Sequence, residues 1–539
     1  MRFALPSMLR LAMDDFTRRR MMAFAAAGAL ASAGGGCTPR ALPDLSAHTP
    51  TPFNPTLLAS REEIWDWCEK LNQGGPRLTG SDAHAQSIDF IEEELAKIGL
   101  AAHRDRHTFT YWRARRWALS LDGDDGPMPI DVTSYYPYSG QTPPHGVSAP
   151  LVYLAEERDY TKAAGKIAIV DVACPPLSWL YRELLFTRKA RIPDDSADFP
   201  DDMDTILIGG TLKASAVNLG AATQAGVLGV IGIWRGASAA HMQDQYLPFT
   251  TPLHDCPALW VAEDAGARIV AAAESGVAAT LTLEAEIREG AATDTLYAIA
   301  PGADDSETTI INTHTDGPNA CEENGAAGML ALARYIASMP AGAVRRSTAF
   351  IFATGHFQLP QLGNGGQATK PWLDAHPEYW AGGNNGARAL AGLTLEHLGC
   401  TEWNENESGA FGATGALERE LIYTTNPAME AIFLAAVNAR TKIRALTLSP
   451  RNDVFLGEGS TLFKLGIPSI SMCPIPEYLC ALTPGGGLEK LDADLMHQQT
   501  ETFMRAFLQL NAMEAAEIGP ADPPRTTLLG RLAGGLRAH

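Results

Sequence analysis

Residues Thr308–Met329 read TTIINTHTDGPNACEENGAAGM, a strand, a polar turn and a helix in succession. Thr308–Thr313 is β-branched and apolar, the composition of a buried strand. His314 and Asp316 follow two apart, so in extended backbone they point to one side. Gly317 and Pro318 break the strand. Glu322 and Glu323 come next, and Gly325 opens an apolar run (Met329, Leu330, Leu332, Ala333, Ile336) at helical spacing. Open α/β sheets bind ligands beyond the carboxyl ends of their strands, where this imidazole and these acids fall. Imidazole with carboxylates in one turn suits a divalent metal, zinc first. A capped helix with a solvated acidic first turn is the plain alternative.

Outward from this stretch the α/β pattern continues. Strands are expected at Thr348–Ala353, Leu393–Glu396, Leu421–Thr424 and Ser469–Met472, and helices at Gly325–Ser338, Ala428–Ala439 and Asp492–Leu510. Strands alternating with helices predict a mixed, mostly parallel sheet with helices on both faces. Upstream, Glu62–Leu71 reads as a helix. A second helix is capped by Ser81 or Asp82, carries Ile88, Ile91, Leu95 and Ile98 on one face and ends at Gly99. Strands are expected at Thr108–Trp112 and Trp117–Leu121.

Between these parts, residues 123–291 have another texture. Short β runs (Leu151–Leu154, Lys166–Asp171, Val227–Trp234, Ala258–Val261) alternate with Pro- and Gly-rich loops, and one small-residue helix is expected at Ala214–Ala225. The span reads as a β-rich unit inserted into the α/β domain, with its ends close together and with His241 and His254 as ordinary surface residues.

The chain has 539 residues, 46% of them apolar and 19% charged, enough for two or three domains. A formal net charge of −20 argues against a nucleic-acid backbone or an anionic membrane surface as partner. The eight cysteines form no CxxC pair. Cys473 and Cys480 are near enough for a loop disulfide, or are two small buried thiols. Arg18-Arg19 before the short apolar run Met21–Ala33 resembles a twin-arginine (Tat) export signal, so residues 1–37 are expected to direct export to the periplasm or envelope. Cys37 is a candidate lipid anchor, with Ala31-Ser32-Ala33 as the alternative, an ordinary cleavage site. Residues 38–60 read as a linker and 516–539 as a loose tail.

Several further polar clusters fall at strand ends. They are Thr354-Gly355-His356-Phe357-Gln358, Glu396-His397-Leu398-Gly399, and Asn452-Asp453 with Gly457-Glu458-Gly459. Adjacent loops each offering His or Glu point to one shared pocket. No G-x-S-x-G elbow surrounds Ser460 or Ser81, and no Walker loop or GxGxxG follows a strand, which argues against serine hydrolase and nucleotide-binding readings.

Taken together, these features resemble the M28 zinc exopeptidases carrying an inserted protease-associated (PA) domain. The resemblance is carried by Gly75-Pro76-Arg77-Leu78-Thr79-Gly80-Ser81, Leu296–Pro301 followed by His314-Thr315-Asp316, Gly466-Ile467-Pro468, Leu488–Asp492, and the PA-like Lys166–Asp171 and Ala216–Ile231. It runs from about Glu62 to Leu510. It implies an M28-like domain over residues 61–122 and 292–515, with a PA-like insert at 123–291. It also implies His314 as a metal ligand oriented by Asp316, and a bridging acid within Cys321-Glu322-Glu323-Asn324. Strict spacing places that bridge on Asn324, and a slip of one residue places it on Glu323. Glu396 occupies the position of the family's later-strand Asp.

The chain departs from the family where a second metal would bind. The family's Glu-Glu pair falls on Phe357-Gln358 and its late His on Leu482, and neither Phe nor Leu binds zinc. His356 stands one residue before the lost general base. Two readings follow. In one, a single divalent ion, zinc, sits on His314, Glu323 or Glu322, and Glu396. It would activate water for cleavage of a peptide or small amide, with His356 or a spare Glu such as Glu322 as base. His397, Glu458 and Asn324 would be further pocket residues. In the other, the protein is a catalytically inactive binding relative.

Overall fold

A computed structural model of the chain describes residues 41–123, 125–155, 158–174, 186–192, 211, 214–450 and 455–523. The export segment with Cys37, Asn452-Asp453 and most of the C-terminal tail lie outside the described residues.

The strand that opened the sequence reading runs Asp304–His314 and is the centre of the main sheet. Arg346–Ala353 and Arg388–Leu395 flank it, both parallel to it, and Ser469–Met472 is parallel beyond. The sheet continues through Glu420–Thr424, Ala445–Pro450 and Phe186–Ile192 on that side, and through Ala278–Ala300 on the other. Neighbouring side chains go to opposite faces, as the pleat requires. Ile310 joins a core with Ile351, Trp372 and Leu462, and Ile311 a larger one with Leu330, Leu332 and Phe503. Helices Arg61–Asn72, Asp82–Lys97, Gly325–Ala337, Pro427–Val437 and Ala493–Ala512 bury their apolar stripes in the larger core. Lys370–Ala375 and Gly459–Lys464 cover the opposite face. This is the expected mixed, mostly parallel sheet between two helical layers.

The two strands expected at Thr108–Trp112 and Trp117–Leu121 are one, Ala102–Leu121. A register shift between Ala114 and Arg116 interrupts the side-chain alternation, which is why the sequence pattern predicts two strands. This strand pairs antiparallel with Ala278–Ala300 over its whole length, ending at Leu121 opposite Ala279. The ribbon carries a second layer in which Val147–Ala155, Ile167–Ala173, Gly229–Arg235 and Ala258–Val261 run parallel. Val147–Pro150 joins that layer to the ribbon, so one hydrogen-bonded path links both sheets.

The unit is less exclusively β than its sequence suggested. Helix Glu263–Glu274 seats Ala265 and Ile269 in a core with Ile169 and Ile233. Its Ala-rich sequence has no capping side chain to mark its start, and the sequence pattern alone does not predict it. The helix expected over Ala214–Ala225 is broken at Asn218, which takes φ +56 and caps the shorter helix Leu219–Gln224. Phe186–Ile192, inside the same stretch of sequence, pairs at the far edge of the main sheet. The linker and tail are docked in part. Asn54 donates its amide to Tyr335 Oη at 2.8 Å, and Asn426 Nδ2 reaches the carbonyls of Ile518 and Pro520. Among the described residues no helix is long and apolar enough to cross a membrane.

Candidate metal centre

Because three central strands are parallel, their C-terminal ends lie at one edge of the sheet. His314 is the last residue of its strand. His356 follows Arg346–Ala353 by three residues, and Glu396 and His397 follow Arg388–Leu395 directly. Glu322 comes from the loop between His314 and helix Gly325–Ala337. That helix starts against the strands, since a Cβ on Gly325 would lie 2.1 Å from the Leu395 carbonyl oxygen and 2.2 Å from Thr313 Oγ1.

Hydrogen bonds fix both ligand-type imidazoles. His314 Nδ1 lies 2.9 Å from the carbonyl oxygen of Asp316, and His397 Nδ1 lies 2.5 Å from that of Pro474. A carbonyl only accepts, so each Nδ1 carries the proton and each Nε2 is turned to the pocket. Burial pulls the His397 imidazole down, but the adjacent Glu322 and Cys473 outweigh it and raise it well above its ordinary value. His314 Nε2, His397 Nε2 and Glu322 Oε2 are all buried, and none makes a well-aligned hydrogen bond. Ligand atoms of these three residues lie within 4.8 Å of one another. His397 Nε2 stands 3.0 Å from Glu322 Oε2. A shared cation would satisfy all three atoms at once. Two imidazoles and one carboxylate form a catalytic-zinc ligand set, so the residues fit the ion.

His397 has φ +57, a left-handed conformation unusual for a residue other than glycine. Three bonds hold it. Asn324 Nδ2 donates to the Leu398 carbonyl and Asn324 Oδ1 accepts the Leu398 amide, both at 2.7 Å. Gln499 Oε1 accepts the Gly399 amide at 2.7 Å. Asn324 is thus a clamp on the His397 loop rather than a group aimed at the ligands.

His356 stacks on His314 with ring centres 4.1 Å apart. Its Nδ1 donates to Glu458 Oε1 at 2.9 Å, and its Nε2 faces Glu322 Oε1 at 3.8 Å. Glu458 also accepts the amides of Ala368 and Thr369 and the hydroxyl of Thr369. Burial pulls the His356 imidazole down, but the hydrogen bond to Glu458 and the surrounding carboxylates outweigh it and raise it to about 9. Burial lowers His314 to about 4, which keeps it neutral. Burial also raises Glu396, to about 8.

The other predicted residues divide as follows. Glu396 Oε1 is 3.5 Å from His314 Nε2, and the Glu396 carboxylate accepts the Glu458 amide. Gly457, at φ +80, leaves room for it, because a Cβ there would lie 2.1 Å from Glu396 Oε2. Glu323 does not turn to the imidazoles. Its Oε1 is 2.8 Å from Arg77 Nε in a fully buried ion pair, and its carbonyl accepts from Arg77 Nη2 at 2.7 Å. The expected orienting role of Asp316 is divided. Its carbonyl orients His314, while its carboxylate accepts the amides of Gly355, His356 and Phe357 at 3.1, 3.2 and 3.1 Å and the hydroxyl of Thr79.

Phe357 and Leu482 join an apolar wall with Tyr246 and Phe249 from the inserted unit. Phe249 stacks on His356 at 5.7 Å. The segment behind it is tied to residues 477–482. His241, expected at the surface, is buried, with Nε2 3.0 Å from Glu477 Oε2, and the Tyr246 amide donates to the Cys480 carbonyl. A partner 236 residues away left no local signal for this. His254 is half-buried, with Nε2 3.1 Å from Thr251 Oγ1. Cys473 and Cys480 are separate buried thiols.

No family profile matches the sequence, and no curated protein resembles it in sequence. Solved structures do resemble the fold. The M28 peptidase precursor of Shewanella amazonensis SB2B superposes with a TM-score of 0.59 at 19% identity, over 87% of this chain and 97% of that one. The zinc aminopeptidase BSAP of Bacillus subtilis gives 0.56 at 17% identity, over 85% and 97%. The aminopeptidase of Aneurinibacillus sp. strain AM-1 gives 0.53 at 16%, over 87% and 98%. The chain therefore has an M28-like fold.

Proposed function

We propose that this protein is an exported, metal-dependent hydrolase of the M28 peptidase type that cleaves a peptide or small amide bond at a single-metal site. The observation that carries the reading is the convergence of three buried ligand atoms, His314 Nε2, His397 Nε2 and Glu322 Oε2. Glu322 replaces Glu323 in the ligand set, and Glu396 stands beside His314. A bound zinc ion supplies Lewis acidity and lowers the pKa of a water molecule.

The chain's own residues supply the proton chemistry. Glu458 holds the Nδ1–H of His356 and helps raise its pKa to about 9, so near neutral pH the ring is a cation whose Nε2–H is the proton donor on the side facing Glu322. The aromatic and aliphatic wall of Phe249, Phe357 and Leu482 replaces the second metal side, so the substrate group there is uncharged. We read the inserted span 123–291 as a PA-like domain, supported by its own parallel layer of Val147–Ala155, Ile167–Ala173, Gly229–Arg235 and Ala258–Val261. Its two ends are not adjacent, since Leu121 pairs with Ala279 whereas Ala291 pairs with Phe109. We read residues 1–37 as a twin-arginine export signal.

The test is hydrolysis of a panel of aminoacyl and N-acyl anilides by zinc-loaded protein. Turnover lost in Glu458→Gln and His356→Ala, with zinc retained, supports the reading. The inactive-relative alternative is favoured by the burial of the site, since the His356 side chain is only 8% exposed. Absence of turnover across the panel would favour it.

A further inference from the structure

We propose that Cys321 and Cys400 form a disulfide that ties the loop bearing Glu322 to the loop bearing His397. In the structure both are free thiols joined by a hydrogen bond, with their sulfurs 2.9 Å apart, about 1 Å outside the bonded length of about 2.05 Å. Both side chains are buried, at 2% and 1% exposure. Cys321 directly precedes Glu322, and Cys400 lies three residues after His397, where its thiol donates to the His397 carbonyl at 3.0 Å, a bond that oxidation would exchange for the covalent tether. The Asn324–Leu398 hydrogen bonds link the same two loops, so the sulfur bond is a second tether beside the first.

The oxidant is a disulfide donor, either a small-molecule disulfide or a disulfide-carrying protein. One cysteine thiolate attacks a donor sulfur, forming a mixed disulfide and releasing the first donor thiolate, which takes up a proton. The other cysteine thiolate displaces the second donor thiol and closes the Cys321–Cys400 bond. Two cysteine protons and two electrons leave with two reduced donor thiols. Burial places this exchange before the fold closes, and afterwards shields the bond from reductants.

The consequence for metal affinity rests on the metal centre proposed above, whereas the bond itself does not. The test is peptide mapping of the full-length protein, folded with reduced and oxidised glutathione, denatured and alkylated without reductant. The expected result is one cross-linked species joining the Cys321 and Cys400 peptides, 2 Da lighter than the two thiol peptides together, with Cys37, Cys68, Cys174, Cys256, Cys473 and Cys480 alkylated. Alkylation of both Cys321 and Cys400 would overturn the proposal, as would pairing of either with another cysteine. In Cys321→Ser and Cys400→Ser, zinc affinity is expected to fall about ten-fold or more, the size of other losses of support around metal ligands. A cross-link with unchanged zinc affinity in these variants would overturn the tethering role. If the variants fail to fold, mapping of the unsubstituted protein still decides whether the bond forms.

Discussion

The Asn324 carboxamide pairs with the backbone of Leu398 through two reciprocal hydrogen bonds of 2.7 Å. The contact spans 74 residues of sequence and holds His397 in its left-handed conformation. Neither Asp nor Ala reproduces it, since Asp lacks the donor and Ala both groups. Asn324→Ala is expected to cost about 1–3 kcal/mol in urea unfolding, because the Leu398 groups are left buried and unpaired. Asn324→Asp should cost at least as much, although Asp restores the carboxylate suggested by the strict family spacing. Gain of a second metal ion by the Asp variant would contradict the clamp assignment.

Glu323 and Glu322 are expected to behave differently despite their adjacency. Arg77→Met leaves Glu323 buried without its partner and should destabilise by about 3–5 kcal/mol, read by thermal or urea unfolding. Zinc content of the folded fraction should be unchanged. Glu322→Gln should remove zinc while costing little in unfolding free energy. The reverse pattern would return the metal to Glu323.

Acid sensitivity is expected from His84, which is fully buried. Its Nδ1 accepts the Gly80 amide at 3.2 Å, and its Nε2 lies 2.9 Å from Thr315 Oγ1, so the neutral ring has both nitrogens occupied. Burial lowers its pKa from 6.5 to about 4. Below pH 6.5 the unfolded chain therefore binds a proton that the folded chain refuses. Stability is fully present above pH 6.5 and is lost as pH falls toward about 4, by up to roughly 3 kcal/mol from this group. His84→Gln should flatten this part of the profile when urea unfolding is compared at pH 7.5 and 4.5. An unchanged difference between the two pH values would contradict the assignment.

Much of the sheet was legible because its strands are buried on both faces and bounded by Gly, Pro and polar turns. Ser469–Met472 was delimited to the residue. That His314, Glu396, His397, His356 and Glu458 share one neighbourhood was also legible, because parallel strands bring their C-terminal ends together. Side-chain direction was not. Whether Glu322 or Glu323 meets the imidazoles depends on the path of an irregular loop and on Arg77, 246 residues away in sequence. Asp316 looked like a partner for the His314 ring, but its carboxylate instead gathers the three amides that turn the chain at His356. Only the meeting of two strand ends could reveal that.

The measurement closest to the central claim is metal per chain in full-length protein purified without chelators and loaded with zinc. The account predicts one ion per chain, falling to near zero in His314→Ala, Glu322→Gln and His397→Ala and staying at one in Glu323→Gln. Two ions per chain, or none in the unsubstituted protein, would contradict it.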